Sequence, residues 1–164
     1  MRAVTESYVE TIALVERLHR QVQEVVKAEL ERIDVRDLNS VQALILFNLG
    51  SMELSVGELM QRGYYQGSNV SYNVKKLVEN EYLLQRRCPH DRRSIFVRAS
   101  EKGVEISNRL AHLFAEQAKL LARDPRAEEA LDQSSKGLAL LQRFWAADGL
   151  VGVPQEQRRI FTAA

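Results

Sequence analysis

The sequence is poor in cysteine, proline and glycine, which number one, three and eight among 164 residues. The single cysteine, Cys88, cannot form an internal disulfide, and this excludes a disulfide-stabilised scaffold. So few glycines and prolines argue against a turn-rich sandwich or barrel and favour long helices. The longest apolar run is 43–47, far short of the roughly 20 residues of a membrane-spanning helix, so we expect no membrane contact.

The residues that are present are typical of a folded globular chain. Hydrophobic residues make up 45% of the sequence and charged residues 27%, which excludes a disordered or collagen-like chain. Glu6 and Glu10 interrupt the apolar stretch that a secretory signal peptide needs, so we expect a cytoplasmic protein. His19, His90 and His112 have no metal-ligand spacing and no catalytic motif is present, so we predict no metal, no cofactor and no enzyme activity.

The net charge of +1 conceals an uneven distribution of charge along the chain. Residues 1–60 carry 6 Lys and Arg against 10 Asp and Glu, residues 61–103 carry 9 against 4, and residues 104–164 carry 8 against 8. Positive charge is therefore concentrated in the central block. This pattern predicts an anion-binding module between scaffolding helices.

The first long element is predicted over residues 8–33, where apolar residues recur at steps of three and four. A helix of this length measures roughly 39 Å at 1.5 Å per residue. Because such a helix is longer than a small domain can cover, part of its apolar stripe needs a second partner, most simply another copy of the chain. We therefore predict a dimerisation helix.

Capping residues predict two short helices after it. Asn39 or Ser40 caps the second helix, which is apolar on nearly all sides and ends at Gly50. Ser55 and Glu58 fit a capping box that opens a third helix.

A fourth helix, predicted over 67–80, has one buried apolar face and one polar, basic face. Together with the third helix it forms a helix-turn-helix, in which the polar face contacts base edges and phosphates. The predicted DNA-contacting residues of this helix are Ser68, Asn69, Ser71, Tyr72, Asn73, Lys75 and Lys76.

Two short strands, 82–87 and 94–98, follow and are joined by a charged turn. A hairpin directly after a helix-turn-helix is a wing, which can lie along the duplex and place an arginine in the minor groove. Two more helices are predicted over 101–122 and 127–147, separated by Pro125.

These elements predict a mainly α fold: a winged helix-turn-helix of about six helices and a small β-hairpin wing, with long dimerisation helices at both ends. The expected division is a dimerisation helix over 1–36, the winged helix-turn-helix over 37–100, and C-terminal dimerisation helices over 101–148. The remaining segment, 149–164, has no periodicity, and we expect a flexible tail.

With these elements in place, the chain resembles the MarR-type transcriptional regulators over residues 8–145. The most specific match is the segment 91–103, DRRSIFVRASEKG, which is similar to the Asp-x-Arg wing of that family followed by Val-x-Leu-Thr-x-x-Gly. The resemblance implies that Asp91 orients Arg93 in the minor groove and that Arg92 is available to a phosphate.

The chain departs from the family pattern at several positions. Ala99 and Ser100 stand in the places of Leu and Thr after the wing, and Glu81 stands in the place of a glycine before it. In the fourth helix, Ser71 and Tyr72 replace Thr-Arg, which changes the expected base preference but not the groove-reading role.

Two segments, NSVQALILF over 39–47 and GSNVSYN over 67–73, also resemble the LdtR-like subgroup of alphaproteobacterial regulators, which are tied to L,D-transpeptidase expression and cell-envelope stress. The family resemblance further implies that a small aromatic or amphipathic effector binds between the dimer helices and the winged domain. The predicted effector-pocket residues are His19, Val22, Ser40, Gln42 and Ala43.

We therefore predict a sequence-specific regulator that binds a pseudo-palindromic operator in double-stranded DNA as a homodimer. Repression by blocking a promoter is the first expectation, and activation stays open. The alternative is a helical, dimeric protein-interaction adaptor or antirepressor that does not read DNA. A redox role for Cys88 at the base of the wing is less favoured than a half-buried packing role.

Overall fold

The computed structural model describes residues 2–61, 67–87 and 95–148. Backbone contacts divide the chain into two compact units, 1–115 and 116–164, and one helix extends from the first into the second. The described elements, in chain order, are α1 (Arg2–Arg32), α2 (Ser40–Leu49), β1 (Glu53–Ser55), α3 (Val56–Gln61), α4 (Gly67–Glu79), β2 (Leu83–Arg87), β3 (Ile95–Ala99), α5 (Glu101–Leu121) and α6 (Ala127–Asp148).

Side-chain caps fix the starts of α2 and α3. Asn39 is the N-cap of α2, since its side-chain oxygen Oδ1 accepts a hydrogen bond from the Gln42 backbone at 2.9 Å while the Gln42 side-chain oxygen accepts one from the Asn39 backbone at 3.1 Å. Ser55 and Glu58 form the same reciprocal pair at the start of α3. Both capping predictions are confirmed.

The three strands form an antiparallel sheet in the order β1-β3-β2. Val97 of the central strand lies opposite Leu54 of β1 and Gln85 of β2. Leu54, Leu83 and Val97 are buried, so one face of the sheet packs on the core of the first unit.

The core of the first unit lies between the helices and this sheet. α2 supplies its centre and contacts α1, α4 and β3. The Phe47 ring of α2 meets the Phe114 ring of α5 edge to face, with 5.1 Å between the ring centroids. The fully buried large side chains of this core are Val26, Ile45, Leu46, Leu49, Leu59, Val70, Leu77, Tyr82, Leu83, Val97 and Leu110.

The second unit contains the end of α5 and all of α6. Asp124 stabilises the turn between them by accepting a hydrogen bond from the Arg126 backbone at 3.0 Å. Several large apolar side chains of α6, among them Leu131, Leu140 and Phe144, are exposed.

The mainly helical prediction is confirmed, since in the described part of the chain six helices and a small antiparallel sheet fold in the predicted order. β1 is a third strand that the sequence did not predict. It has only three residues, too few for an alternating pattern, and its last residue, Ser55, is also the cap of α3.

Candidate nucleic-acid interface

One face of α4 holds this helix in place. Val70, Val74 and Leu77 are buried, and α4 contacts α2, α3 and β2. Their spacing of three and four residues places all three on one stripe of the helix. Because this stripe is packed into the core, the opposite face of α4 points away from the core.

That opposite face carries polar side chains. Asn69, Ser71, Tyr72 and Lys75 are all exposed, and the exposed fraction of Tyr72 is 59%. A large, exposed phenol can stack on a base and donate or accept a hydrogen bond. The structure thus brings four of the predicted contact residues onto one surface of α4. Ser68 lies in the first turn of α4, and its side chain is outside the described part of the chain.

Asn73 differs from this group. Its side chain is buried, with 7% exposed, and its amide donates a hydrogen bond to the backbone carbonyl of Asn69 at 2.8 Å. Position 73 is three residues from Val70 and four from Leu77, so the helix turns it toward the core. This placement does not support the predicted DNA contact by Asn73.

The two lysines of α4 share a carboxylate that the sequence analysis did not single out. The Nζ atom of Lys76 lies 2.7 Å from Glu79, and that of Lys75 lies 3.7 Å from it. The hydrogen bond from Lys76 holds the pKa of Glu79 below its usual value. The spacing of three and four residues along one helix is the signal that predicts such pairs.

The turn between α4 and β2 is closed by hydrogen bonds characteristic of a helix C-terminus. The Tyr82 backbone donates to the carbonyl of Leu77 at 2.8 Å, and the Glu81 backbone donates to that of Val78 at 3.1 Å. Glu81 has a φ of 63°, in the left-handed region that favours glycine. This geometry accounts for the glycine that the family pattern has at this position.

A polar cluster ties this turn to the α1–α2 connection and to α5. The Tyr82 hydroxyl donates to Asp37 at 2.7 Å, and Lys102 Nζ donates to the same carboxylate at 3.1 Å. Burial alone would raise the pKa of Asp37, but the hydrogen bonds from Tyr82 and Lys102 outweigh it and hold the pKa below its usual value. Because Tyr82 directly follows the turn, the cluster fixes the end of α4 relative to α5.

The described part of the wing hairpin consists of its two strands, β2 and β3. β2 and β3 pair from Leu83 opposite Ala99 to Arg87 opposite Ile95. The predicted wing residues Asp91, Arg92 and Arg93 lie outside the described residues, as do Cys88 and His90 of the turn.

Comparisons with known proteins agree with this geometry. Residues 38–103 match the family of winged helix DNA-binding domains. Over 147 residues the chain is 32% identical to the exopolysaccharide II synthesis transcriptional activator ExpG of Rhizobium meliloti, covering 90% of this chain and 76% of ExpG. The chain belongs to the winged helix DNA-binding transcriptional regulators.

Solved structures show that this regulator has the MarR fold. A MarR transcriptional regulator from Methanosarcina mazei superposes with a TM-score of 0.67 at 19% identity, covering 80% of this chain and 96% of that one. FabT of Streptococcus pneumoniae, in a complex with DNA, superposes with a TM-score of 0.65 at 18% identity, covering 85% and 98%.

The five predicted effector-pocket residues lie on α1 and α2, in different surroundings. The His19 ring is hydrogen-bonded to Gln23 at 2.8 Å on the exposed part of α1, whereas Ala43 is fully buried and Gln42 is part of the cap of α2. A separate cavity of about 710 Å³ lies between α3, α4 and the sheet. Its described lining includes Val56, Met60, Ser71, Val74, Lys75 and Ile95.

Over 2–61, 67–87 and 95–148, His, Cys, Asp and Glu side chains form no group of three or more that suits a metal ion. Within the same residues, no helix has the length and hydropathy needed to cross a bilayer.

Proposed function

We propose that this regulator binds a pseudo-palindromic operator in double-stranded DNA as a homodimer, acting in the cytoplasm by binding and without a catalytic step. The observation that carries the proposal is the exposed polar face of α4, with Tyr72 at its centre and Lys75 one turn further along. In this arrangement Asn69, Ser71 and Tyr72 read base edges in the major groove, and the lysines contact phosphates. The assignment of Ser68 to the same surface rests on its place in the first turn.

The wing supplies the second part of the proposed contact. Asp91 orients Arg93 toward the minor groove, and Arg92 contacts a phosphate, as the family resemblance implies. The antiparallel pairing of β2 and β3, from Leu83 opposite Ala99 to Arg87 opposite Ile95, supports this because it makes them the two strands of one hairpin.

Exposed apolar surface supports the proposed dimer. α1 leaves six large apolar side chains exposed, which is unusual for a helix without a partner. They are Val4, Tyr8, Val9, Leu14, Leu18 and Val22. In the second unit α6 independently leaves Leu131, Leu138, Leu140, Phe144 and Trp145 exposed. We therefore assign dimerisation to the segments 1–36 and 101–148, on either side of the winged domain at 37–100.

Two-fold symmetry sets the form of the operator. The two copies of α4 enter successive major grooves, so the half-sites are centred about 10 base pairs apart. Sedimentation is expected to give twice the chain mass of 18.7 kDa. A protein that sediments as a stable monomer would contradict this arrangement.

Titration of a fluorescent random duplex at a low and a high salt concentration tests DNA binding directly. Neutralisation of phosphates predicts that log K falls with log salt by about 0.9 for each phosphate contacted. Little binding at either concentration would instead support the adaptor or antirepressor. Genome-wide footprinting then yields the operator and the regulated genes.

The direction of regulation is a separate part of the proposal. Repression is the expectation from the resemblance alone, but the relative that is 32% identical over 147 residues is named as an activator, which supports activation. Deletion of the regulator should then lower transcription from a footprinted promoter. A rise in transcription would support repression.

The narrower assignments stay predictions. Membership of the LdtR-like subgroup, with a role in envelope stress, rests on the segments 39–47 and 67–73. An effector, if it controls DNA binding, must bind the competent and incompetent forms with different affinity. Screening small aromatic acids for a shift of the binding isotherm tests this part.

A further inference from the structure

The guanidinium of Arg86 in β2 is held on two sides by residues of the other two strands. Its Nε donates to Glu53 Oε1 at 2.8 Å, and a terminal nitrogen donates to Oε2 at 2.5 Å. Its central carbon also lies 4.6 Å from the centroid of the Phe96 ring. Because Phe96 is the cross-strand partner of Arg86 in β3, the arginine reaches across the middle strand to Glu53 in β1.

This contact joins the wing to the helix-turn-helix. Arg86 is near the end of β2, directly before the turn of the wing, whereas Glu53 begins the strand that leads into α3. The bidentate geometry and the stacked ring fix the direction of the guanidinium more closely than a single ion pair would. The hydrogen bonds from Arg86 also hold the pKa of Glu53 below its usual value.

We propose that Glu53 and Arg86 are positioning residues for DNA binding, which set the angle of the β2–β3 hairpin relative to β1 and α3. Arg86 then acts through the wing and does not itself neutralise a phosphate. This inference rests on the proposed function, because it concerns how the hairpin is presented to the duplex.

The rival explanation is that Arg86 is one more basic residue in contact with DNA. The two explanations differ most sharply for Glu53→Gln. If charge alone mattered, removal of a carboxylate from this surface would strengthen binding to the polyanion. If the pair positions the wing, the same change weakens binding, because it removes the negative charge and replaces one of the two acceptor oxygens that orient Arg86 with an NH2 donor.

The experiment compares Glu53→Gln, Arg86→Gln and the charge swap Glu53→Arg with Arg86→Glu. Arg87→Gln is the matched control for Arg86, since Arg87 is an exposed neighbour in the same strand. Dissociation constants for the duplex are measured over a series of salt concentrations, and thermal unfolding is followed for each variant.

We expect each single variant to bind about fivefold more weakly, with an unchanged slope of log K against log salt, and the charge swap to recover most of the loss. Arg87→Gln should not combine a fivefold loss of affinity with an unchanged salt slope. If a single variant unfolds, the charge swap still tests the pair.

The inference is overturned if Glu53→Gln binds as tightly as the parent or more tightly, or if Arg86→Gln lowers the salt slope by about 0.9, the value for one phosphate contact. A parent protein that binds no duplex at low salt would overturn the proposed function together with this inference. Binding by the parent with an unaffected Glu53→Gln variant overturns the inference alone.

Discussion

Gly103 in the first turn of α5 lies directly against the backbone carbonyl of Tyr82. A Cβ atom at position 103 would overlap that oxygen and would also lie 3.2 Å from the Leu46 side chain. The same carbonyl accepts a hydrogen bond from the Ser100 backbone at 3.0 Å, so it cannot move without breaking the join between the sheet and α5. The glycine is therefore required by close approach and not by its backbone angles.

Gly103→Ala should lower the free energy of unfolding by about 3 kcal/mol, because backbone atoms must shift to admit the methyl group. Urea unfolding of the purified protein measures this. Gly57→Ala is the matched control in the same unit, since its Cβ would meet Ser55 Oγ at an ordinary 3.8 Å. A similar loss of stability in both variants would contradict the explanation by close approach.

Glu81→Gly should stabilise the protein by about 1 kcal/mol, because a side chain is strained at the left-handed φ of 63°. Glu81→Ala is the control, since it removes the charge but keeps a Cβ at the same angle. The midpoint of urea unfolding should rise for glycine only. An equal rise for alanine would attribute the effect to charge.

Local signals in the sequence predicted more of this molecule than long-range ones. The caps at Asn39 and Ser55 depend on residues three positions apart, so the starts of α2 and α3 follow from the sequence. The burial of Asn73 could also be predicted from the sequence, because its spacing of three residues from Val70 and four from Leu77 places it at the edge of the buried stripe.

Contacts between segments that are distant in the sequence could not be predicted from local patterns. Glu53 and Arg86 are 33 residues apart and meet only because β1 pairs with β3. Since β1 is too short to be recognised, nothing in the sequence places that carboxylate beside the wing. The same holds for Asp37 and Tyr82, which are 45 residues apart.

Glu29 should make stability depend on pH. It is 6% exposed, and the hydrogen bonds from Arg32 hold its pKa below the ordinary 4.5 against the opposing effect of burial, with Arg109 and His112 adding to the lowering. A carboxyl whose folded-state pKa is lowered contributes stability above its unfolded pKa and loses it as the pH falls through the folded value. Glu29→Gln should therefore cost about 1 kcal/mol at neutral pH, and this cost should shrink in acid.

Urea unfolding of parent and variant from about pH 7 to about pH 3 measures this dependence. Glu16→Gln is the control on the same helix, because Glu16 is exposed and pairs with Arg20 at 3.5 Å. A cost of Glu29→Gln that stays constant across the range would show that the ionised carboxylate is not the stabilising form.

Arg93→Ala should weaken operator binding by roughly tenfold and leave thermal unfolding unchanged, because the family resemblance implies that this arginine enters the minor groove. Fluorescence titration and a thermal scan of the same sample measure both quantities. An unaltered binding isotherm would argue against the wing assignment.

Glu79→Gln should strengthen binding to duplex DNA by about threefold, because Glu79 holds Lys75 and Lys76 and adds a negative charge to the recognition helix. In the proposed complex, the lysines exchange this carboxylate for a phosphate when DNA binds, which offsets part of their attraction to the duplex. Glu105→Gln in α5 carries the same change of charge at an exposed glutamate away from α4. If both variants gain the same affinity for duplex DNA, the effect comes from net charge. If Glu79→Gln instead weakens binding, the carboxylate positions the lysines for the phosphates rather than competing with them.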